Sequence, residues 1–150
     1  MKTSDGGDAI AIVSIALSVG LWRYARNTDR DPEFILDVGR QDAMVVHLTY
    51  VPYLRTSGEL KTKPSQHSVQ KLREIGIQPD ILICRTERPI PEELKAKLSL
   101  FCNVSRGQVV EEQDVPTSIY ELPQMLAEQE LDKQILERLG LAVTDLKIER

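Results

Sequence analysis

A strand, a helix and a second strand follow one another within about 40 residues of this chain, and few architectures accommodate that order. Residues 43–48, A-M-V-V-H-L, form the continuous apolar run of a buried strand. Residues 64–75 read as a helix: Val69, Leu72 and Ile75 recur every third position, while Lys71, Arg73 and Glu74 can face water. Pro64 suits the first helical position, because its fixed φ fits and its missing N–H is not needed there. Gly76 is a natural stop, with Pro79 just beyond it. Residues 80–84, D-I-L-I-C, supply the second strand in the unbroken pattern of a parallel sheet. The expected class is α/β: three layers, with a mostly parallel sheet and flanking helices.

The remaining sequence is read around that unit. A helix starts at Pro91, with Glu92 and Glu93 in its first turn and an apolar stripe of Leu94, Leu98 and Phe101. Residues 107–110 read as a short strand, and 119–128 and 131–139 as two helices, the second stopped by Gly140. Residues 56–63 form a loop containing Gly58, and N-T-D-R-D-P-E (27–33) is a charged breaker. The polar, Gly-rich residues 1–8 read as loose. The apolar run 9–22 is shorter than the roughly 20 residues a membrane span needs. A secretory signal would want a positive start, and Lys2 is outweighed by Asp5 and Asp8. A buried strand or a buried helix of the core is expected there.

A length of 150 residues with 41% hydrophobic composition fits one domain with a real core. The net charge of −4 argues against a general nucleic-acid binder, which carries a basic face, but leaves room for a local basic site. Cys84 and Cys102 lie in apolar contexts and read as buried, reduced thiols. The expectation is a cytoplasmic protein, with neither membrane nor nucleic acid as partner.

Lys61 and Lys63 stand immediately before the helix that Pro64 opens. A helix N-terminus offers free N–H groups and partial positive charge, so two added ammonium groups there make a cradle for a polyphosphate. The alternative is a pair of solvated loop lysines. Lys97, between Ala96 and Leu98 on an apolar helix, either snorkels to water or serves the same ligand. Gln66 can reach a ligand hydroxyl or a base edge, whereas His67 reads as a helix-surface or capping residue and His47 as a core histidine. Asp114, before Val115 and Pro116, reads as a turn cap. Glu111, Glu112 and Asp114 lack metal spacing, and neither cysteine sits in a nucleophile elbow. No G-x-x-x-x-G-K-[ST] occurs, so these residues contain no P-loop. No catalytic residue and no metal ligand is assigned.

The segments H-L-T-Y-V-P-Y-L, G-E-L-K-T-K-P-S-Q-H-S-V, I-G-I-Q-P-D-I-L-I-C-R and K-L-S-L-F-C-N-V, in that order, resemble the synthetase (amidoligase) domain of the CTP synthase family. The match continues more weakly through Q-D-V, S-I-Y-E-L-P and L-D-K-Q-I-L-E-R-L-G. The resemblance implies a truncated P-loop-NTPase/Rossmann-like amidoligase fold. It divides the chain into a divergent N-terminal segment (1–38), a synthetase-domain portion (39–142) and the start of a linker or tail (143–150). The family phosphorylates the 4-oxygen of UTP with ATP, then displaces phosphate with ammonia drawn from glutamine by a separate domain; it uses magnesium and forms tetramers. Its K-T-K-P-[ST]-Q contact to UTP or CTP falls on Lys61, Thr62, Lys63, Pro64, Ser65 and Gln66. A further nucleotide lysine falls on Lys97. Its ATP-contacting K-D-V falls on Gln113, Asp114 and Val115, with the lysine replaced.

The family's P-loop, magnesium carboxylates and glutaminase domain have no convincing counterpart here. The resemblance therefore implies a partial, pyrimidine-nucleotide-binding synthetase domain, inactive by itself and not holding ATP or magnesium, in a homo-oligomer or joined to CTP synthase subunits. The rival expectation is a non-catalytic pseudoenzyme or interaction module that associates with the full-length enzyme.

Overall fold

The strand–helix–strand unit is present, and each strand extends beyond the apolar run that marked it. The structure, a computed structural model, describes residues 10–15, 35–37, 39–40, 42–115, 118–138 and 140. Strand β1 is Ile10–Ile15 and β2 is Ala43–Val51; a short hairpin, β3 (Tyr53–Leu54) and β4 (Glu59–Leu60), follows. Helix α1 (Lys63–Glu74) leads to β5 (Ile81–Thr86), α2 (Glu92–Cys102) to β6 (Val109–Gln113), and α3 (Leu122–Glu128) and α4 (Leu131–Arg138) close the described chain.

The main sheet has the order β1-β2-β5-β6, and every neighbouring pair is parallel. Ile10 faces Ala43, Val46 faces Ile81, and Leu82 faces Val109. Successive strand residues point to opposite faces, so one strand feeds two cores. On one face Val51, Leu82, Cys84 and Val109 pack with Val69 of α1 and with Leu98 and Cys102 of α2. Ala43 and Val45 meet Leu72 and Ile77 on that same side. On the other face Met44, Val46, Ile81 and Val110 pack against Leu131, with Ile135 and Leu126 partly covered. The result is helices, sheet, helices, as the class expectation has it.

Helix α1 begins at Lys63, so Pro64 takes the second helical position and Thr62 the cap, one residue earlier than the sequence reading. Its buried face is Ser65, Ser68, Val69 and Leu72, two of them small and polar. These serines meet polar residues of β2: His47 Nε2 lies 2.9 Å from Ser68 Oγ, and Thr49 donates a short hydrogen bond to the Ser65 hydroxyl. Ser65 in turn donates to the Tyr50 carbonyl at 3.0 Å. His47 is thus a core residue that fixes the helix on its strand.

Several expected elements differ in detail. The 56–63 loop is partly the β3–β4 hairpin, whose turn uses Gly58 at φ 67°. Residues 106–108 form a 3₁₀ turn before β6, displacing the expected 107–110 strand toward the C-terminus. Another 3₁₀ turn, at Ile119–Glu121, precedes α3. Phe101 is 55% exposed and Cys102 fully buried, so the inward stripe of α2 ends on Cys102 instead. Of the apolar run 9–22, the backbone of Ile10–Ile15 forms a strand parallel to β2. Its remainder, the 1–8 segment, the charged breaker and the tail lie outside the described residues. Among the described residues no helix is long and apolar enough to cross a membrane.

Candidate functional site

The carboxyl ends of β2 and β5 point toward one edge of the sheet, the place where open α/β folds build their ligand crevices. Leaving β2, the chain turns through the β3–β4 hairpin. Tyr53 pairs with Leu60 and Leu54 with Glu59. Gly58 N–H donates to Leu54 O at 2.8 Å, and Lys61 N–H donates to Pro52 O at 2.9 Å, closing the hairpin at its base. The second hairpin strand therefore delivers Lys61, Thr62 and Lys63 directly to the start of α1.

The opposite wall leaves β5. Thr86 is fully buried; its hydroxyl donates to the Arg88 carbonyl at 2.8 Å and accepts from the Arg88 N–H at 3.3 Å. Pro89 and Pro91 stiffen the run into α2. The Ile90 N–H donates to Glu111 Oε2 at 3.2 Å, and that carboxylate lies 3.5 Å from Lys95 Nζ. The first turns of α2 then carry Leu94 and Lys97 to the same space.

Between the walls lies a cavity of about 720 Å³. Lys61, Lys63, Lys97 and Arg88 line it with Tyr53 and Glu59, and the apolar Leu60 and Leu94 contribute to the same lining. That size suits a small-molecule ligand, and the cationic rim suits an anionic one. Lys61 is engaged by Glu59 at 2.5 Å, and this bond holds the Glu59 carboxyl below the usual range. Among the described residues no carboxylate forms an ion pair with Lys63, Lys97 or Arg88. The Arg88 guanidinium sits 5.3 Å from the centroid of the Tyr53 ring.

The K-T-K-P-S-Q residues divide by position. Lys61, Thr62 and Lys63 line the cavity, as does Lys97 from α2. Pro64 is exposed on the first turn of α1, and Ser65 is buried with its hydroxyl spent on β2. Gln66 does not line the cavity; its Nε2 donates to Thr62 Oγ1 at 3.0 Å, buttressing a residue that does. No motif or spacing in the sequence singles out Arg88, Tyr53 or Glu59 as lining residues. A basic residue two positions past a strand end and just before the P-I-P run is the only signal that points to Arg88.

Gln113, Asp114 and Val115 lie at and just beyond the end of β6, and none lines this cavity. Asp114 Oδ1 accepts from Arg85 Nε at 3.1 Å and Nη2 at 3.0 Å, an ion pair instead of a bare turn cap. Gln113 donates a short hydrogen bond to Glu111 and borders a smaller cavity of about 310 Å³ with Lys95, Met125 and Gln129. Burial pushes both thiols up, Cys102 to about 11 and Cys84 further, with the neighbouring Cys102 and Glu111 charges adding to the rise at Cys84. Neither cysteine presents a thiolate near neutral pH. Among the described residues no cluster of three or more His, Cys, Asp or Glu could hold a metal ion, so the residues in view do not fit magnesium.

The chain matches the family described as CTP synthase N-terminus over residues 2–141. A CTP synthase of Fibrobacter succinogenes is 57% identical over 111 residues, 74% of this chain and 20% of that protein. One of Caldanaerobacter subterraneus subsp. tengcongensis is 52% identical over 114 residues, 75% of this chain and 21% of the relative. One of Syntrophus aciditrophicus is 45% identical over 140 residues, 93% of this chain and 26% of the relative. The chain thus spans a fifth to about a quarter of the length of these curated relatives.

Proposed function

The chain belongs to the CTP synthase N-terminal family, and from that premise we propose that it carries part of a pyrimidine-nucleotide triphosphate site, for UTP or the product CTP. The observation that supports this most directly is the convergence of Lys61, Lys63 and Lys97 on one cavity. Lys61 and Lys63 come from the junction of the hairpin and α1, Lys97 from the sequence-distant α2, and a shared anion gives that convergence a use. Lys61 and Lys63 flank the start of α1, where free N–H groups add to the field. Thr62, braced by Gln66, offers its hydroxyl between them.

In this reading the chain binds and orients the nucleotide; it does not by itself complete an amination. The sequence has no G-x-x-x-x-G-K-[ST] loop for ATP, and no described acidic cluster fits magnesium. No step through either is assigned to these residues. Gln113, Asp114 and Val115 keep a separate role at the β6 end, as the family's ATP-contacting segment.

Isothermal titration of the wild-type chain and of a Lys61→Ala, Lys63→Ala double variant with UTP and CTP tests the reading. Uptake by wild type, weakened at least about a hundredfold in the variant, is expected from losing two charge-assisted contacts. Absence of heat in both proteins at millimolar nucleotide rejects it.

A second reading has its own support. Leu100 and Phe101 are 76% and 55% exposed, and they border a groove with Ala96, Lys97 and Arg106 beside the cationic cavity. An apolar patch next to a ligand site suits the docking of a full-length CTP synthase subunit. Co-sedimentation with that enzyme, abolished by Leu100→Asp, is the expected outcome; sedimentation as separate species rejects it.

A further inference from the structure

Arg88 is held more firmly than an exposed arginine on a loop usually is. Its backbone is clamped at both ends by the one buried Thr86 hydroxyl. Its guanidinium lies against the Tyr53 ring, 5.3 Å from the centroid. Tyr53 belongs to the hairpin and Thr86 to β5, so the side chain spans from one wall of the cavity to the other. Both residues, and Arg88 itself, stand outside the lysine motif and before Lys97.

An arginine stacked on an aromatic face still presents the edge of its planar fork, and the fork matches phosphate oxygens in pairs. A lysine offers only a point charge on a flexible stem. Ordering the guanidinium before the ligand arrives removes much of the entropy lost on binding. Among the described residues no carboxylate pairs with the guanidinium; the adjacent Glu87 accepts instead from the Tyr50 hydroxyl at 3.1 Å. Arg88 shares its cavity with the three lysines, so the ligand part it meets is the part those cations collect.

We infer that Arg88, held between Thr86 and Tyr53, is a further phosphate-tail ligand of this cavity, reading the polyphosphate and not the base. The inference rests on the nucleotide reading above. Calorimetry on the whole chain with two probes, UTP and inorganic tripolyphosphate, tests it. Two variants are used: Arg88→Ala, and Arg88→Gln, which keeps the stem against Tyr53 without the charge.

Both variants are expected to weaken UTP and tripolyphosphate by the same factor, about tenfold or more, with thermal melting unchanged. Weakening of UTP alone would make Arg88 a base or sugar contact and overturn the assignment. Weakening in Arg88→Ala but not in Arg88→Gln would reduce its role to packing, and also overturn it. Full affinity in both variants, while Lys63→Ala still binds poorly, removes Arg88 and leaves the lysine site standing. A wild-type chain that takes up neither probe removes the nucleotide site and this assignment together.

Discussion

Glu59 accepts a charge-assisted hydrogen bond from Lys61 Nζ at 2.5 Å, so one cation of the cavity already has an anion. A phosphate entering at Lys61 must displace that carboxylate. Glu59→Gln is expected to tighten UTP binding about two- to fivefold, the scale of an exposed ion pair. Titration of the variant beside wild type checks it, and weaker binding would mean that Glu59 orients Lys61 instead of competing for it. The sign with pH agrees: the folded-state pKa of Glu59 is depressed, so the pair is intact above the carboxylate range and is lost as pH falls through that depressed value.

The seating of α1 on β2 depends on buried polar contacts. Ser68→Ala removes the 2.9 Å bond to His47 and is expected to cost about 1–3 kcal/mol. Urea unfolding reads this as a lower midpoint at unchanged slope. A midpoint equal to wild type would mean that the histidine is satisfied without the serine hydroxyl.

Leu72 is wholly buried where Ala43, Val45 and Ile77 meet. Leu72→Ala opens a cavity in that cluster and is expected to cost about 2–5 kcal/mol. Circular dichroism melting measures the loss, and a melting point near wild type would show that the cluster collapses around the smaller side chain.

Cys84 and Cys102 are both fully buried in one apolar cluster and both remain thiols. Ellman's reagent at pH 8 is expected to leave the folded protein unmodified and to label both residues in guanidinium. The linkage follows from the raised pKa of each thiol: the unfolded chain loses these protons at a lower pH than the folded one. Stability therefore holds below the ordinary thiol value and declines as pH rises toward about 11, where Cys102 titrates. Chemical denaturation at stepped alkaline pH reads the decline, and a flat midpoint across that window would contradict it.

How far the sequence spoke depended on how many residues each feature used. Strands β2 and β5 announced themselves through runs of apolar residues, and α1 through the threefold spacing of Val69, Leu72 and Ile75. The β3–β4 hairpin was not legible, because each of its strands is a two-residue pair, too short for any periodicity. Phe101 misled for a geometric reason. Leu94, Leu98 and Phe101 share a helical face, but the sheet covers the side centred on Leu98 and Cys102, and Phe101 swings out toward Lys97 and Leu100. The lysines were readable from their place before a proline. Arg88 was not, because what distinguishes it is a tyrosine ring brought alongside by the hairpin and a threonine hydroxyl turned under its backbone.

Every described residue lining the cationic cavity lies within the stretch from Tyr53 to Lys97. Among the described residues, none before or after that stretch forms its walls. An exchange of genetic material that keeps this stretch whole therefore passes on this set of cationic and aromatic side chains as a single heritable block, whatever chemistry the neighbouring segments gain or lose.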